Sequence, residues 1–320
     1  MSNGTPPRAA ALTGRYVAIM MLLCLLWGFN FIAIKVGNHG FPPLLAAGLR
    51  SAGATVLVTA YALARRQGLG GPRRLLLHGV ATGVLFALEF LFIYGGASYT
   101  SASRVSLLVY TSPFWAAAGA HLLLHGDRLS FAKVSGLALS FLGVVAVFGA
   151  PGGDAGPHHV FGDILGLLGA ASWAVTTIYV KRFVQPFGIG SLQVLFYQLA
   201  FSTPILLAAA FVAGQAGPVE WRLDSTLALI YQTVVVATIT YVAWFWLLGR
   251  THASSLHSFT FFTPVFAVIF SGLFLGESLP LLLWVGLALV AAGTYLVNRP
   301  AAGFGSGGSL HRRDRRTTSP

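Results

Sequence analysis

Charge is what this chain has least of. Only 9% of its 320 residues are Asp, Glu, Lys or Arg, where water-soluble domains carry about a quarter. That scarcity excludes an ordinary soluble enzyme, a disordered chain and a coiled coil. Cysteine is nearly absent too: the single Cys24 lies inside an apolar run, so neither an internal disulfide nor a CxxC metal site is available. The local histidine clusters, His158-His159 and His121 with His125, have no carboxylate or cysteine at ligand spacing, so no metal is expected. No G-x-x-x-x-G-K-[ST] run occurs, which argues against ATP-driven chemistry, and no other cofactor is implied. What fills the chain instead is apolar: 56% of residues are hydrophobic, as expected where lipid is the main solvent.

A membrane-crossing helix needs about 20 mostly apolar residues. Ten stretches qualify: 16–37, 43–64, 75–97, 102–124, 131–149, 161–182, 190–213, 226–249, 253–275 and 280–298. The connections are short and punctuated by Gly and Pro, and none could hold a separate soluble domain. The first stretch contains Trp27 and Asn30 and is followed by no A-x-A-like site, so it reads as a retained helix rather than a signal peptide. The expected class is therefore all-α, a polytopic membrane protein with polar tails at 1–15 and 299–320.

The few charges are lopsided, with 20 Lys and Arg against 8 Asp and Glu. Placing the N-terminus inside puts 16 of the 20 basic residues in cytoplasmic segments, including Arg65, Arg66, Arg73, Arg74, Arg128, Lys133, Lys181, Arg182, Arg250 and the tail cluster 311–316. Cytoplasmic loops collect Lys and Arg, so the excess reads as a topology signal, N-in and C-in, and not as a nucleic-acid footprint.

The two halves repeat each other. Ala102-Ser103 and Pro113 match Ala253-Ser254 and Pro264 at an offset of 151, while Gly126-Asp127, Gly136 and Gly143 match Gly276-Glu277, Gly286 and Gly293 at an offset of 150. Trp27 and Lys35 match Trp173 and Lys181. The repeats span 16–149 and 161–298, five helices each. An odd number makes the second repeat enter the membrane from the opposite side, so the repeats are inverted, an arrangement suited to alternating access around a central site.

These residues carry a family likeness. Trp27-Gly28-Phe29-Asn30-Phe31, Leu49-Arg50, Ala102-Ser103 through Pro113, Ala253-Ser254 through Pro264-Val265-Phe266, and the phrase from Leu273 to Leu279 with Gly276-Glu277 occur in order. Over about residues 16–298 the chain resembles bacterial members of the drug/metabolite transporter superfamily of the EamA type. Asp127 stands where the first repeat often has Glu. The resemblance implies a ten-helix carrier of the inner membrane, usually exporting small metabolites such as amino acids or drug-like compounds. It also implies that the fifth and tenth helices sit away from the substrate path and serve packing or homodimer contact.

Few polar groups are left inside the spans. Glu89 is the one carboxylate well within a helix, a position that suits a cavity-facing proton-coupling group or a structural partner of Arg50 or Arg104. Arg50, midway along the second helix, is either a structural ion pair or anchor, or a bidentate receptor for a substrate carboxylate. Asn30 follows Trp27 by one turn and shares its face; it either bonds a neighbouring helix or faces substrate. Trp27 and Trp173, repeat counterparts, are two walls of a site or packing residues. Tyr94, Tyr110, Tyr241, Trp244 and Phe261 complete an aromatic-rich set suited to stacking and cation–π contact, with His257 one turn before Phe261. Single rings are more often packed than functional in a chain with 13% aromatics. Pro113 and Pro264 are expected to kink the fourth and ninth helices, and Gly136, Gly143, Gly286 and Gly293 to allow close helix packing.

An intramembrane enzyme would need paired carboxylates, a metal cluster, or Ser with His or Lys; a channel would need a filter-like repeat. Neither appears in the sequence. The reading is a secondary transporter moving a small molecule, with protons as a candidate coupling ion, and with an enzyme, an importer or a channel as the alternatives.

Overall fold

A computed structural model describes residues 13–99, 102–148, 158–275 and 281–299. Gly276-Glu277, both tails and their basic cluster lie outside the described residues, as do the side chains of Ala102, Ser103 and Arg104. All regular structure described is helical. In chain order the α-helices are α1 (Gly14–Gly37), α2 (Pro43–Ala64), α3 (Arg73–Tyr99), α4 (Ala102–Val109), α5 (Ser112–Leu123), α6 (Phe131–Phe148) and α7 (His159–Tyr179). They continue with α8 (Ser191–Val212), α9 (Leu223–Tyr231), α10 (Tyr241–Leu248), α11 (Ala253–Phe259), α12 (Phe262–Leu275) and α13 (Leu282–Asn298). Seven helical stretches are long and apolar enough to cross a membrane, and shorter apolar helices cover Leu107–Leu123, Phe131–Ala146 and Trp284–Asn298.

The polarity of the fold is that of a lipid-solvated protein. Leu122, Phe131, Val212, Leu223 and Leu281 each expose more than three-quarters of their surface, while Glu89, Arg50, Gln198, Thr177 and His257 are buried. In water that distribution would leave a large unmatched apolar surface; in a bilayer it is satisfied.

Two of the expected continuous helices are broken. The stretch 102–124 is α4 and α5, turning at Tyr110-Thr111, and 253–275 is α11 and α12, turning at Thr260-Phe261. Pro113 and Pro264 supply no N–H, and their rings crowd the carbonyl four residues back, so the ladder stops one turn earlier. Threonine hydroxyls occupy carbonyls just before each break: Thr111 Oγ1 donates to the Leu108 carbonyl at 2.6 Å and Thr260 Oγ1 to that of His257 at 2.7 Å. Such bonds are what lets a broken helix persist at membrane depth. A third expected helix, 226–249, carries a π-helical stretch at Gln232–Thr240 between α9 and α10, a widening common at functional sites.

Helix α6 packs along α13, α2 along α8, α3 against α7 and α8, and α1 against α12. The α6–α13 seam is the tightest. A Cβ on Gly136 would stand 2.6 Å from the Gly293 carbonyl oxygen, and one on Gly143 would stand 2.7 Å from that of Gly286. Both distances are too short for any side chain, so the backbones touch only because these residues are glycine. Ser140 Oγ adds a 3.3 Å bond to the Val290 carbonyl across the seam.

Candidate functional site

Helices α3, α7, α8 and α10 converge on a small cavity lined by Phe86, Glu89, Trp173, Thr176, Thr177, Gln198, Tyr241, Trp244 and Phe245. It encloses about 10 Å³, space for about one water. Aromatic rings close around it. Trp27 lies 6.2 Å from Trp173, 5.5 Å from Trp244 and 6.2 Å from Tyr241, centroid to centroid. Trp173 and Trp244 are 6.1 Å apart, and both face His257, at 5.1 and 5.3 Å. These are the offset and edge-on separations that ring quadrupoles favour. The indole N–H of Trp27 donates to Thr240 Oγ1 at 2.8 Å, and His257 Nε2 shares a 2.9 Å hydrogen bond with Thr177 Oγ1.

A charged layer adjoins the box. Arg50 is only 4% exposed, and its guanidinium carbon stands 4.4 Å from the Phe90 ring centroid, a cation–π contact on the face of the group. Its Nε and Nη2 have no hydrogen-bond partner. Glu89 is within electrostatic reach of Arg50, yet no direct ion pair joins them among the described residues, and Glu89 Oε2 is also without a partner. The charge of Arg50 is felt by Tyr94 and Tyr241 as well. Tyr94 stacks on Phe90 at 6.2 Å and Phe86 meets Tyr241 edge-on at 5.8 Å, so rings link the charged layer to the box.

Of the residues singled out in the sequence, Trp27, Trp173, Tyr241, Trp244, His257 and Glu89 come together here, with Tyr94 and Arg50 one ring away. Tyr110 and Phe261 do not line the cavity. Both are buried, Tyr110 at the α4–α5 break and Phe261 at the α11–α12 break, where Phe261 packs edge-on against Phe114. Asn30 stands outside the lining too, its Oδ1 buried without a partner. Lys35 is exposed at the end of α1, and Lys181 Nζ donates to the carbonyls of Leu248, at 3.1 Å, and Thr251.

Sequence reasoning missed Thr176, Thr177 and Gln198. The threonines sit three and four residues after Trp173 and so share its helix face, a spacing visible in the sequence. Gln198 is an amide at mid-span of its segment, and its Oε1 has no partner.

A second polar cluster lies at the end of the fold that holds Arg128 and Arg250. Asp127, between α5 and α6, is 2% exposed. Its Oδ1 accepts from Lys133 Nζ at 2.6 Å and from Ser254 Oγ, and its Oδ2 accepts the Ser254 backbone N–H at 3.0 Å. Lys133 Nζ also donates to Ser254 Oγ at 3.1 Å. The carboxylate thus caps the N-terminus of α11, where unsatisfied N–H groups and the helix dipole favour negative charge. Burial alone would raise the Asp127 carboxyl; the hydrogen bond and charge of Lys133 and the bonds from Ser254 outweigh it and hold it below the usual carboxylate value.

Known proteins resemble this chain in sequence and in fold. The EamA-like transporter family matches residues 14–149 and again 160–299. The "Uncharacterized transporter YvbV" of Bacillus subtilis (strain 168) is 30% identical over 89% of this chain and 92% of its own. A "Probable amino-acid metabolite efflux pump" of Escherichia coli (strain K12) is 28% identical over 87% of this chain and 93% of its own. A solved crystal structure superposes with a TM-score of 0.75 over 88% of this chain and 96% of that one, at 20% identity, a likeness of fold.

Proposed function

The chain belongs to the EamA-like transporter family, and from that premise we propose that it exports a small metabolite, amino-acid-like or drug-like, by alternating access. It is a polytopic helical membrane protein and a transporter, not an enzyme. The observation that carries the reading is the cavity itself. Both family-matching segments supply its walls, Phe86 and Glu89 from the first and Trp173, Gln198, Tyr241 and Trp244 from the second, and polar groups sit inside an aromatic enclosure. Apolar walls with a few convergent polar groups are the makeup of small-molecule sites; at the volume of about one water, this is the closed form of such a site, and the helices must part to admit a substrate.

In this reading ten helices form two inverted five-helix repeats, and substrate sites at such repeat interfaces lie near mid-membrane. Contacts that survive exchange of the halves support it. Gly136 meets Gly293 while its counterpart Gly286 meets Gly143, the counterpart of Gly293. The counterparts Trp27 and Trp173 touch each other. Trp27 bonds Thr240; Glu89 stands at the first-repeat position of Thr240, at the offset of 151 that relates Pro113 to Pro264, and the exchanged pair, Trp173 and Glu89, flanks the same cavity. The orientation is N-in and C-in in the inner membrane, with Arg65, Arg66, Arg128 and Arg250 at the cytoplasmic end. The partners are the bilayer, the substrate and protons, and Glu89 is the coupling group.

A metabolite profile of cells and medium, with and without overexpression, tests export: one enriched class outside the cells is expected, and an unchanged medium would overturn it. In proteoliposomes, Glu89→Gln is expected to abolish dependence of transport on a pH gradient while substrate counterflow persists. Full retention of that dependence would remove Glu89 from the coupling role.

A further inference from the structure

We propose that Arg50 is the receptor for a carboxylate on the substrate, so that the transported class is small carboxylates with an apolar body rather than organic cations or neutral compounds. This rests on the transporter reading above and narrows it.

The starting point is which part of the guanidinium is used. A guanidinium has a flat face and donor edges, and only the edges hydrogen-bond. The face of Arg50 is covered by Phe90 at 4.4 Å. The edge formed by Nε and Nη2 is buried and meets no acceptor. Those two N–H groups lie side by side and parallel, the fork that receives both oxygens of one planar carboxylate. Leaving charged donors buried and unmet is costly, and the rest of the fold avoids it. Of the partly buried lysines, Lys133 is engaged by Asp127 and Ser254, and Lys181 by two backbone carbonyls.

The obvious internal partner does not take the edge. Glu89 is buried and within electrostatic reach, but it forms no ion pair with Arg50 and keeps Oε2 unpartnered at the cavity. Glu89 itself lines the cavity of the aromatic box, and Arg50 reaches that wall through Phe90, which packs edge-on against Phe86. A carboxylate on the Arg50 fork would lie beside Phe90 and the Tyr94 ring stacked on it, and it would share the charge of Arg50 with Glu89, so the protonated form of Glu89 is the one that admits it. An organic cation there would face Arg50 itself, a like charge in a medium of low dielectric.

The test uses purified full-length protein in detergent micelles and in proteoliposomes. The probes are the proteinogenic amino acids, the corresponding carboxamides and the corresponding decarboxylated amines, scored by thermostabilisation and by counterflow. At least one acid is expected to bind and be carried while its amide and amine are not. Arg50→Met and Arg50→Lys are expected to weaken that acid by about 10- to 100-fold, the loss of a charge-assisted bidentate bond, with Arg50→Met melting within a few degrees of the parent in the absence of probe. Amides or amines carried as well as the acids would overturn the assignment and leave the transporter reading standing. So would an Arg50→Met protein that binds the acid unchanged. If no probe is bound or carried, the carboxylate class falls, and the metabolite profile decides the transporter reading by itself. An Arg50→Met protein that fails to fold while Arg50→Lys binds the acid normally would make Arg50 structural and also overturn the proposal.

Discussion

The chain buries charge in two places and treats it oppositely. At the arginine-rich end, Asp127, Lys133 and Ser254 close on one another until both carboxylate oxygens are engaged. Beside the aromatic box, Arg50 and Glu89 sense each other without touching, and three of their polar atoms have no partner. The first arrangement is finished by the chain alone. The second is not finished by the chain alone. Full satisfaction marks a structural clamp, and costly incompleteness marks a binding site, because evolution has little reason to retain unmet buried charge otherwise. Each cluster sets a buried carboxylate near a base; the count of unmet atoms separates them.

Breaking the closed cluster is expected to have the largest effect. Asp127→Ala leaves the Lys133 ammonium and the N-terminus of α11 without their acceptor. Removing one partner of a buried pair costs about 3–5 kcal/mol, so the melting temperature in micelles should fall sharply and yield should drop. A variant that melts with the parent would make the clamp ornamental. The open cluster is predicted to respond the other way, with Arg50→Met costing ligand recognition and little stability.

Acid sharpens the contrast next. The Asp127 carboxyl sits below its ordinary value, so the stability it contributes is complete above the unfolded-state value, about pH 4, and is lost as pH falls through the lower folded value. The parent should therefore lose thermal stability below about pH 4, and Asp127→Asn should lose visibly less over the same interval. Parallel acid profiles for the two proteins would show that the clamp does not titrate.

The smallest effect belongs to Ser254→Ala. It removes the hydroxyl's bond to Asp127 and the one that hydroxyl accepts from Lys133, but keeps the backbone N–H bond and the Asp127–Lys133 ion pair. About 1 kcal/mol is expected, read as a melting shift of a few degrees; a loss as large as that of Asp127→Ala would mean the hydroxyl, not the ion pair, holds the clamp.

The sequence made some of this visible and hid the rest for physical reasons. Apolar length located the helices, since lipid imposes it. The Trp27–Trp173 meeting was foreshadowed by their equivalence in the repeat. Helix breaks before Pro113 and Pro264 were half legible: proline announces a kink, while the Thr111 and Thr260 hydroxyls that stabilise a full break are ordinary residues in an apolar run. Thr177 and Gln198 matter because of what stands opposite them, and one sequence position carries no information about its facing helix. The Asp127–Ser254 bond was invisible for the same reason, its partners being 127 positions apart. Tyr110 and Phe261 show the converse, since their symmetric spacing suggested a wall and they are packing at the breaks.

The seam between α6 and α13 limits how the molecule can move. Helix α6 belongs to the first matching segment and α13 to the second, and none of their residues lines the cavity. Joined backbone to backbone, two such bodies can neither slide along the seam nor admit a lipid tail between them. Any relative movement of the two segments must therefore carry these two helices together, and the place left for it is among the side-chain contacts around the aromatic box.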